Sequence, residues 1–564
     1  MRCRVLCCVA VVGLFTAGLT EAQSGASPGA PPEVTAAQAL LQAGNVDSAI
    51  VTLEQFFRRT PAAVAGRLLL GNAYRQKGDL DRALAAYQSV TQPRAIAIQA
   101  RFNAAGIHAR RANPDEAIRL LHQVKASGTF DMDLVTTTAD FASLQNDPRL
   151  KEVLYRPEDF ERPFVEPVRI IHQWIGETKG DQFSWIARGI GDVDGDRVSD
   201  IVTSAPSFAA VGSSPGKGRI YLYSGKTGKT LWTFTGADGD GAGTGLEGAG
   251  DVNRDGTPDV VAGAPWSSKA YVLSGRDGSV LLTLTPQGQR EGFGQSAAGV
   301  GDQNGDGHAD VLVGAPSASQ QGAGAGRAYL FSGKDGSILE VLNGEKAGDT
   351  FGSTVAGVKA GRGTPFVIGA SGAGPAGRGR VYVHAGPGRP ASFVFEADET
   401  GAAMGTMFVS MVGDVDGDRV LDVFASDFAN TAKGPSTGRV YVHSGATGRR
   451  LLTLTGEHPG DGFGIGSADL GDIDGDRHDD LVVGAWQYSA VAGSGGKVYV
   501  YSGKDGTLLR AITGRVPGET LGFDATGIGD VDGDGTIDLL VTSSWSNIRG
   551  FRSGRMFVIS GKVP

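Results

Sequence analysis

A unit of 50 to 59 residues recurs seven times between residues 168 and 564, and it constrains the fold more than any other feature of the sequence. Each unit has room for about four short apolar strands joined by glycine-rich turns. Repeats of this length and strand content are typical of β-propeller blades. We therefore predict a mainly β, seven-bladed propeller over residues 168–564. The units are marked by a basic residue followed two positions later by an aromatic one, at Arg219/Tyr221, Lys269/Tyr271, Arg327/Tyr329, Arg380/Tyr382, Arg439/Tyr441, Lys497/Tyr499 and Arg555/Phe557.

Six of the seven units carry an acidic loop with the pattern D-x-[DN]-x-[DN]-x-x-x-D. Side-chain oxygens at loop positions 1, 3, 5 and 9 can converge on one point, and the backbone carbonyl at position 7 can complete the shell. Calcium takes six to eight oxygen ligands, whereas the lack of sulfur and of systematic histidine disfavours zinc. We therefore predict about six Ca²⁺ sites. The expected ligands are Asp192, Asp194, Asp196, Val198 and Asp200; Asp251, Asn253, Asp255, Thr257 and Asp259; Asp302, Asn304, Asp306, His308 and Asp310; Asp414, Asp416, Asp418, Val420 and Asp422; Asp472, Asp474, Asp476, His478 and Asp480; and Asp530, Asp532, Asp534, Thr536 and Asp538.

The loops differ from EF-hands, because Thr203 and Val541 stand where the first and last loops would need a glutamate, and because strands follow. The alternative is a set of solvated Asp-Gly turns. Two carboxylates 4 Å apart repel by roughly 4 kcal/mol at an effective dielectric of about 20, so three or four converging acids favour a bound cation. The fourth unit has VKAGRGTPF at residues 358–366, with no carboxylate and with Arg362 at loop position 5. We predict no calcium in that blade.

Several units resemble the FG-GAP repeat of integrin α chains. Phe293-Gly294 with Gly314-Ala315-Pro316 is the clearest copy; Phe351-Gly352 with Gly369-Ala370, and Phe463-Gly464 with Gly484-Ala485, are close to it. The first, second, fifth and seventh units depart in the FG or GAP elements. The resemblance implies an integrin-type propeller that binds its ligand on the face opposite the calcium loops.

Aromatic residues are concentrated in the connections between the second and third strands. Because strands alternate in direction within a blade, these connections are expected on the face opposite the acidic loops. We predict that exposed aromatic side chains there bind a protein or glycan partner. The alternative, that they pack between neighbouring loops, stays open. The candidate partner-binding residues are Trp266, Trp486, Tyr488 and Trp545.

The region before the propeller has a different pattern. Residues 1–22 are typical of a signal peptide, 23–34 of a flexible linker and 156–167 of a second linker. Between them, residues 35–155 resemble about three tetratricopeptide repeats, because Ala49, Ala83 and Ala117 are spaced by 34 residues. An ordinary helical bundle is the alternative. We expect a polar capping helix over residues 140–154 and, on the repeats, a possible peptide partner.

The composition of the chain excludes several classes of function. The net charge of −9 argues against nucleic-acid binding, all three cysteines lie in the signal, and no segment has the length and apolar character of a transmembrane helix. We expect a secreted, periplasmic or cell-surface protein. No catalytic motif stands in a suitable context, so we predict a non-catalytic, calcium-binding interaction or adhesion-type protein. The alternatives are a secreted hydrolase or lyase acting on polysaccharide or lipid, and a purely structural surface component.

The end of the last unit predicts how the ring closes. Residues 555–560 (RMFVIS) correspond to a third strand, and no fourth strand follows them. Residues 168–175 (VRIIHQWI) align with fourth strands elsewhere and have no blade of their own. Because an open ring would leave a hydrogen-bonding edge, we predict that residues 168–175 complete the seventh blade beside residues 555–560.

Overall fold

The computed structural model describes residues 30–211, 215–359 and 361–562, apart from the side chains of residues 467 and 468. The expected signal peptide and most of the first linker lie outside the described residues. The chain divides into two compact units, one ending at Asp159 and the other beginning at Phe160. Each unit is described by itself.

The first unit is all helical, as predicted. Its helices form consecutive antiparallel pairs: α1 (Pro32–Gln42) with α2 (Val46–Arg59), α3 (Arg67–Lys77) with α4 (Leu80–Gln88), and α5 (Arg94–Arg110) with α6 (Pro114–Lys125). Gly71 allows α3 to approach α4, since a Cβ there would lie 2.4 Å from Cε1 of Tyr87. Gly78 ends α3 in the left-handed region, with φ of 87°. The helices therefore pack as the repeat pattern predicts.

The capping segment differs from the expected single polar helix. It consists of α7 (Leu134–Thr137), a 3₁₀ turn (Ala139–Leu144) and α8 (Leu150–Val153). Pro148 has no N–H to donate to a helical turn, and the carboxylate of Asp147 accepts from the N–H of Arg149 at 3.0 Å, so the chain turns between the two short helices. Phe141, Leu144, Leu150 and Val153 are buried in the core of the unit. The prediction of a polar cap was wrong because the segment supplies apolar core side chains.

The second unit contains seven four-stranded antiparallel sheets. The first strands of neighbouring blades contact each other around the ring, including those of the last and first blades, so they line its centre. The predicted seven-bladed propeller is confirmed. Blade 1 has β2 (Ala187–Gly191), β3 (Asp200–Ala205), β4 (Arg219–Tyr223) and β5 (Thr230–Thr235); blade 2 has β6 (Leu246–Gly250), β7 (Asp259–Ala264), β8 (Lys269–Leu273) and β9 (Val280–Leu284); blade 3 has β10 (Ala297–Gly299), β11 (Val311–Ala315), β12 (Arg327–Phe331) and β13 (Ile338–Asn343). Blade 4 has β14 (Phe351–Gly357), β15 (Phe366–Ala370), β16 (Arg380–His384) and β17 (Phe393–Glu396); blade 5 has β18 (Val409–Val412), β19 (Asp422–Asp427), β20 (Arg439–His443) and β21 (Arg450–Thr455); blade 6 has β22 (Phe463–Gly471), β23 (Asp480–Ala485), β24 (Lys497–Tyr501) and β25 (Leu508–Thr513); blade 7 has β26 (Ala525–Gly527), β27 (Leu539–Ser543), β28 (Arg555–Ile559) and β1 (Ile170–Ile175).

The ring closes as predicted. Strand β1 pairs antiparallel with β28, placing Trp174 opposite Met556 and Ile175 opposite Arg555. The indole Nε1 of Trp174 also donates to the carbonyl of Gly228 in blade 1, at 2.9 Å. The closing strand therefore completes blade 7 and also binds blade 1.

The glycines of the FG-GAP resemblance pack backbone to backbone between blades. A Cβ on Gly314 of blade 3 would lie 2.1 Å from the carbonyl oxygen of Gly352 in blade 4, and one on Gly484 of blade 6 would lie 1.9 Å from that of Gly522 in blade 7. Blade 1 has Ser204 at this position, and its hydroxyl donates to the carbonyl of Gly243 in blade 2 at 2.8 Å. A departure from the motif can therefore keep the contact between blades.

The basic–aromatic pairs bind acidic residues in the connection that enters the same blade. The guanidinium of Arg219 and the hydroxyl of Tyr221 both bind Glu177, each at 2.8 Å. Similar pairings join Arg380 and Tyr382 to Glu345, and Lys497 and Tyr499 to Glu457. The repeated pair therefore fixes that connection to the third strand.

The second expected linker is largely packed onto the propeller. Phe160 and Phe164 are buried, and the N–H of Val165 donates to the carbonyl of Thr513 at 2.9 Å, at the end of β25. The carboxylate of Glu166 accepts from the backbone N–H and the hydroxyl of Thr513, at 2.6 and 2.9 Å. Residues 160–166 thus lie along the outer edge of blade 6 and are not a free linker, because their apolar side chains are buried against the propeller.

Candidate functional site

The six acidic loops connect the first and second strands of their blades and share one hydrogen-bond pattern. The carboxylate at position 1 accepts from the backbone N–H groups of positions 5 and 6; in the first loop, Asp192 accepts from Asp196 at 3.0 Å and from Arg197 at 2.8 Å. The carboxylate at position 5 accepts from position 7, as Asp196 does from Val198 at 2.9 Å. These bonds hold the loop in a tight coil that directs its acidic side chains inward. We call the end of the propeller that carries these loops the acidic-loop face.

The aspartate at position 9 joins the loop to the turn between the third and fourth strands. In blade 1, one oxygen of Asp200 accepts from the N–H of Val193 at 2.7 Å and the other from Gly225 at 2.9 Å. The same bridge recurs in four other blades, from Gly275 to Asp259, Gly333 to Asp310, Gly445 to Asp422 and Gly503 to Asp480. In blade 7 the N–H of Gly561, which follows β28, donates to Asp538 in the same way. Position 9 thus has a structural role in addition to its expected role as a ligand.

The predicted ligands lie together in groups. Ligand oxygens lie within 4.8 Å of one another among Asp192, Asp194 and Asp196; Asp414, Asp416 and Asp422; Asp472, Asp474 and Asp480; and Asp530, Asp532 and Asp538. In the second and third loops Asn253 and Asn304 take position 3, and each amide oxygen accepts from position 5 at 2.9 Å. The loops therefore have similar geometry but differ in charge.

The electrostatics of these groups suit a cation. Burial, with repulsion from neighbouring carboxylates, raises the pKa of Asp259 and of Asp422 to about 6 despite their backbone hydrogen bonds. In the fifth loop, Oδ1 of Asp416 is buried and has no hydrogen-bond partner among the described residues. A buried carboxylate oxygen without a partner is costly, and an oxygen-only donor set matches a hard divalent ion. The residues present therefore fit such an ion.

Two histidines at position 7 have a contact that the sequence did not indicate. Nδ1 of His308 donates to the carbonyl of Val252 in the second loop at 2.7 Å, and Nδ1 of His478 donates to that of Val415 in the fifth loop at 2.8 Å. Only their backbone carbonyls were expected to matter. Their rings join adjacent acidic loops. The sequence did not indicate this contact, because histidine occurs at position 7 in only two of the six loops.

The loop of the fourth blade lies against its neighbours. The carbonyl of Gly361 accepts from the N–H of Asp302, at 2.9 Å, in the third loop. The ammonium of Lys359 binds Glu247 of β6 at 2.7 Å, and Glu247 also binds Arg188 of β2 at 2.8 Å. Arg362 thus stands at position 5, where the other loops have an aspartate. Lys359, at position 2, forms an ion pair with an inner strand two blades away.

The four aromatic residues expected on the opposite face differ in exposure. Trp266 is 45% exposed, and Trp545 is half-buried beneath the guanidinium of Arg552. Trp486 and Tyr488 are buried, so the expectation of exposed side chains at these two positions was wrong. Trp486 packs edge-on against Trp545, with ring centroids 4.9 Å apart, and Tyr488 lies under Lys497. The alternative of packing between neighbouring loops therefore describes Trp486 and Tyr488.

Comparisons with known families agree with this architecture. The tetratricopeptide repeat family matches residues 34–96, and the FG-GAP repeat family matches residues 242–282, 293–331 and 466–501. The second repeat of the propeller is thus matched by the family, although its FG element departs from the motif. Within the part of the chain that the structure describes, no helix is both long and apolar enough to cross a membrane.

Curated relatives match parts of the chain. Integrin alpha-PS5 of Drosophila melanogaster is 30% identical over 169 residues, which are 27% of this chain and 17% of that protein. Integrin alpha-6 of Gallus gallus is 34% identical over 126 residues, 19% of this chain and 11% of its own length. Human phosphatidylinositol-glycan-specific phospholipase D is 28% identical over 322 residues, 47% of this chain and 38% of its own length. The chain spans well under half the length of each of these relatives. The chain carries FG-GAP repeats and is similar in part to integrin α chains; tetratricopeptide-like helical repeats precede its seven-bladed β-propeller in the sequence.

Proposed function

We propose that this chain is an exported, non-catalytic interaction protein whose propeller binds about six calcium ions and recognises a protein or glycan on the face opposite the acidic loops. Residues 1–22 would be the export signal, and the helical repeats would offer a second surface, for a peptide. The observation that carries the calcium proposal is the shared loop geometry, which gathers carboxylates around an oxygen-only site in four blades.

Calcium would supply the positive charge that balances the carboxylates of these loops. It would be held by the side chains at positions 1, 3, 5 and 9 and the carbonyl at position 7, with Asn253 and Asn304 supplying amide oxygens in the second and third loops. The fourth loop, with Lys359 and Arg362, would bind none. Calorimetric titration of the metal-stripped protein tests this proposal: we expect about six sites, and a protein that binds no calcium would disprove it.

The partner surface is proposed around Trp266, which at 45% is the most exposed of the four candidate residues. Trp266 covers Gly241, where a Cβ would lie 2.4 Å from Cδ1 of the indole, so the ring is held in place while its outer surface stays open. Exposed aromatic rings held in this way are typical of protein and glycan binding sites. We propose that Trp545 extends the surface and that Trp486 and Tyr488 support it from beneath.

Capture of glycans and of proteins from the surrounding medium tests this surface. We expect Trp266→Ala to weaken capture strongly. A matched control is Val280→Ala, because Val280 is equally exposed, at 45%, on the outer strand β9. Equal loss in both variants, or none in either, would place the partner elsewhere. Recovery of a captured glycan or lipid in cleaved form would instead favour the secreted hydrolase or lyase, a class that the name of the phospholipase D relative also suggests.

A further inference from the structure

Four arginines of the acidic loops occupy backbone conformations that favour glycine. Arg197, Arg419 and Arg477 stand at loop position 6 with φ of 71°, 69° and 72°, and Arg254 stands at position 4 with φ of 63°. We call these four residues the arginine array. A non-glycine side chain is disfavoured at positive φ, and such strain at equivalent positions of several loops points to a function.

The other blades show that arginine is not needed to form the loop. Position 6 is glycine in the second, third and seventh loops, where Gly256, Gly307 and Gly535 have φ of 82° to 86°. Position 4 is glycine in the five acidic loops other than the second. The hydrogen bonds around position 6 are also the same: the N–H of Arg197 and that of Gly535 each donate to the position 1 carboxylate at 2.8 Å. The arginine side chains are therefore not required to form the loop, and their role must be a different one.

The guanidinium groups of the array are available to a partner. All four arginines are exposed, and within the described residues none of the four side chains makes a hydrogen bond or an ion pair. Many other arginines of the propeller do: Arg219, Arg380 and Arg439, for example, each bind an acidic side chain. The array extends over blades 1, 2, 5 and 6, so its members lie on separate loops around the acidic-loop face.

From these observations we propose that the acidic-loop face, once loaded with calcium, binds an anionic lipid surface through the arginine array. This inference rests on the proposed calcium function. Without metal, the 22 carboxylates at the ligand positions of the loops would repel anions; six Ca²⁺ would offset twelve of these negative charges. Each guanidinium can then donate two parallel hydrogen bonds to a phosphate group. Binding is therefore expected only in the presence of calcium.

A lipid surface fits better than a single soluble anion or a protein. Arginines on separate loops match a surface that repeats its anionic groups. Val420 and Leu421, which directly follow Arg419, are 41% and 38% exposed, and exposed aliphatic side chains beside basic ones are typical of segments that enter the interface of a membrane. An acidic glycan would give these two side chains no apolar environment.

The test compares the full chain with a variant in which all four arginines are replaced by glycine (R197G, R254G, R419G and R477G). Glycine is the residue other loops use, so fold and calcium affinity should be kept; calorimetry with calcium alone verifies this. Sedimentation with vesicles of phosphatidylcholine, with or without phosphatidylserine, measures binding in calcium and in EGTA. A basic residue near an anionic membrane contributes about fivefold in affinity, so loss of four should weaken binding at least about a hundredfold. A second variant, Gly535→Arg, adds a fifth arginine in blade 7 and should strengthen binding.

The expected result is calcium-dependent binding to the phosphatidylserine vesicles alone, lost in the glycine variant and increased by Gly535→Arg. The inference would be overturned if the wild-type protein did not bind the vesicles, or if the glycine variant bound them equally well. It would also be overturned if the protein bound only heparin, an acidic glycan, and no vesicles. In those cases unchanged calcium titrations would leave the proposed function standing. Absence of calcium binding in the titration would overturn both.

Discussion

The imidazole of His443 lies parallel to the ring of Phe395 in the neighbouring blade, with centroids 4.0 Å apart and planes 5° from parallel. Burial, with the nearby Arg450, lowers the pKa of His443 to about 4. The folded protein therefore binds this proton less readily than the unfolded chain does, and the stabilisation from the neutral ring is complete above about pH 6.5 and is lost as the pH falls toward 4. We expect the titration of His443 to lower the free energy of unfolding by about 2 kcal/mol when the pH falls from 7 to 5.

His443→Phe should remove that part of the pH dependence. Phenylalanine is compatible with this strand position, because Phe331 occupies it in blade 3. His384 is the equivalent residue of blade 4, and burial lowers its pKa also, so His384→Phe serves as the second variant. Urea unfolding at pH 7 and pH 5 measures the difference; the same acid loss in the His443→Phe variant as in the wild type would contradict the assignment.

Gly314→Ala should destabilise the propeller by about 3 kcal/mol, because its Cβ would lie 2.1 Å from the carbonyl oxygen of Gly352 and the blades would have to separate. Ser204→Ala is the matched control in blade 1: the position already accepts a Cβ, and only the hydrogen bond to Gly243 is lost, at about 1 kcal/mol. Thermal unfolding compares them. Equal effects would mean that the backbone contact between blades is not what requires glycine.

The fold followed from the sequence because its signals are local and repeated. The spacing of the basic–aromatic pairs gave the number of blades, and the alignment of residues 168–175 with fourth strands elsewhere indicated how the ring closes. The acidic loops were equally clear, since the acidic residues of each loop lie within nine positions of the sequence. What the sequence could not indicate are contacts between blades. Trp486 is buried because Phe523 and Trp545 of blade 7 cover it, and Lys359 reaches Glu247 two blades away.

The buried ion pair between Arg555 and Glu519 should be sensitive to the loss of one partner. Their side chains are 1% and 0% exposed, and Glu519 also accepts from the hydroxyl of Ser546 at 3.1 Å. Glu519→Gln would leave a buried guanidinium without its counter-ion, which costs about 3–5 kcal/mol. The partly exposed pair of Arg219 and Glu177 provides the comparison: Glu177→Gln should cost less than about 1 kcal/mol. Chemical denaturation of both variants measures the contrast, and a similar loss in the two would show that burial does not set the cost.

Calcium removal should lower the melting temperature steeply. With a Kd near 0.1 mM and about 1 mM calcium, each site adds roughly 1.4 kcal/mol, and six independent sites add about 8 kcal/mol. That is comparable to the whole stability of a typical domain. Scanning calorimetry in calcium and in EGTA tests this, with Asp416→Ala as a variant expected to lose one site. Identical melting curves in the two buffers would refute it.

Deleting residues 168–175 should open the ring. Strand β1 covers the outer edge of β28, and Trp174 holds it to blade 1 through the carbonyl of Gly228 and the ring of Tyr223. Without this strand, the N–H and C=O groups of β28 would be free to pair with another molecule. We therefore expect the deletion variant to melt at lower temperature and to form concentration-dependent oligomers in light scattering. Gln173→Ala, an exposed change on the same strand, should behave like the wild type. A deletion variant that stays monomeric and melts like the full chain would show that blade 7 is stable with three strands.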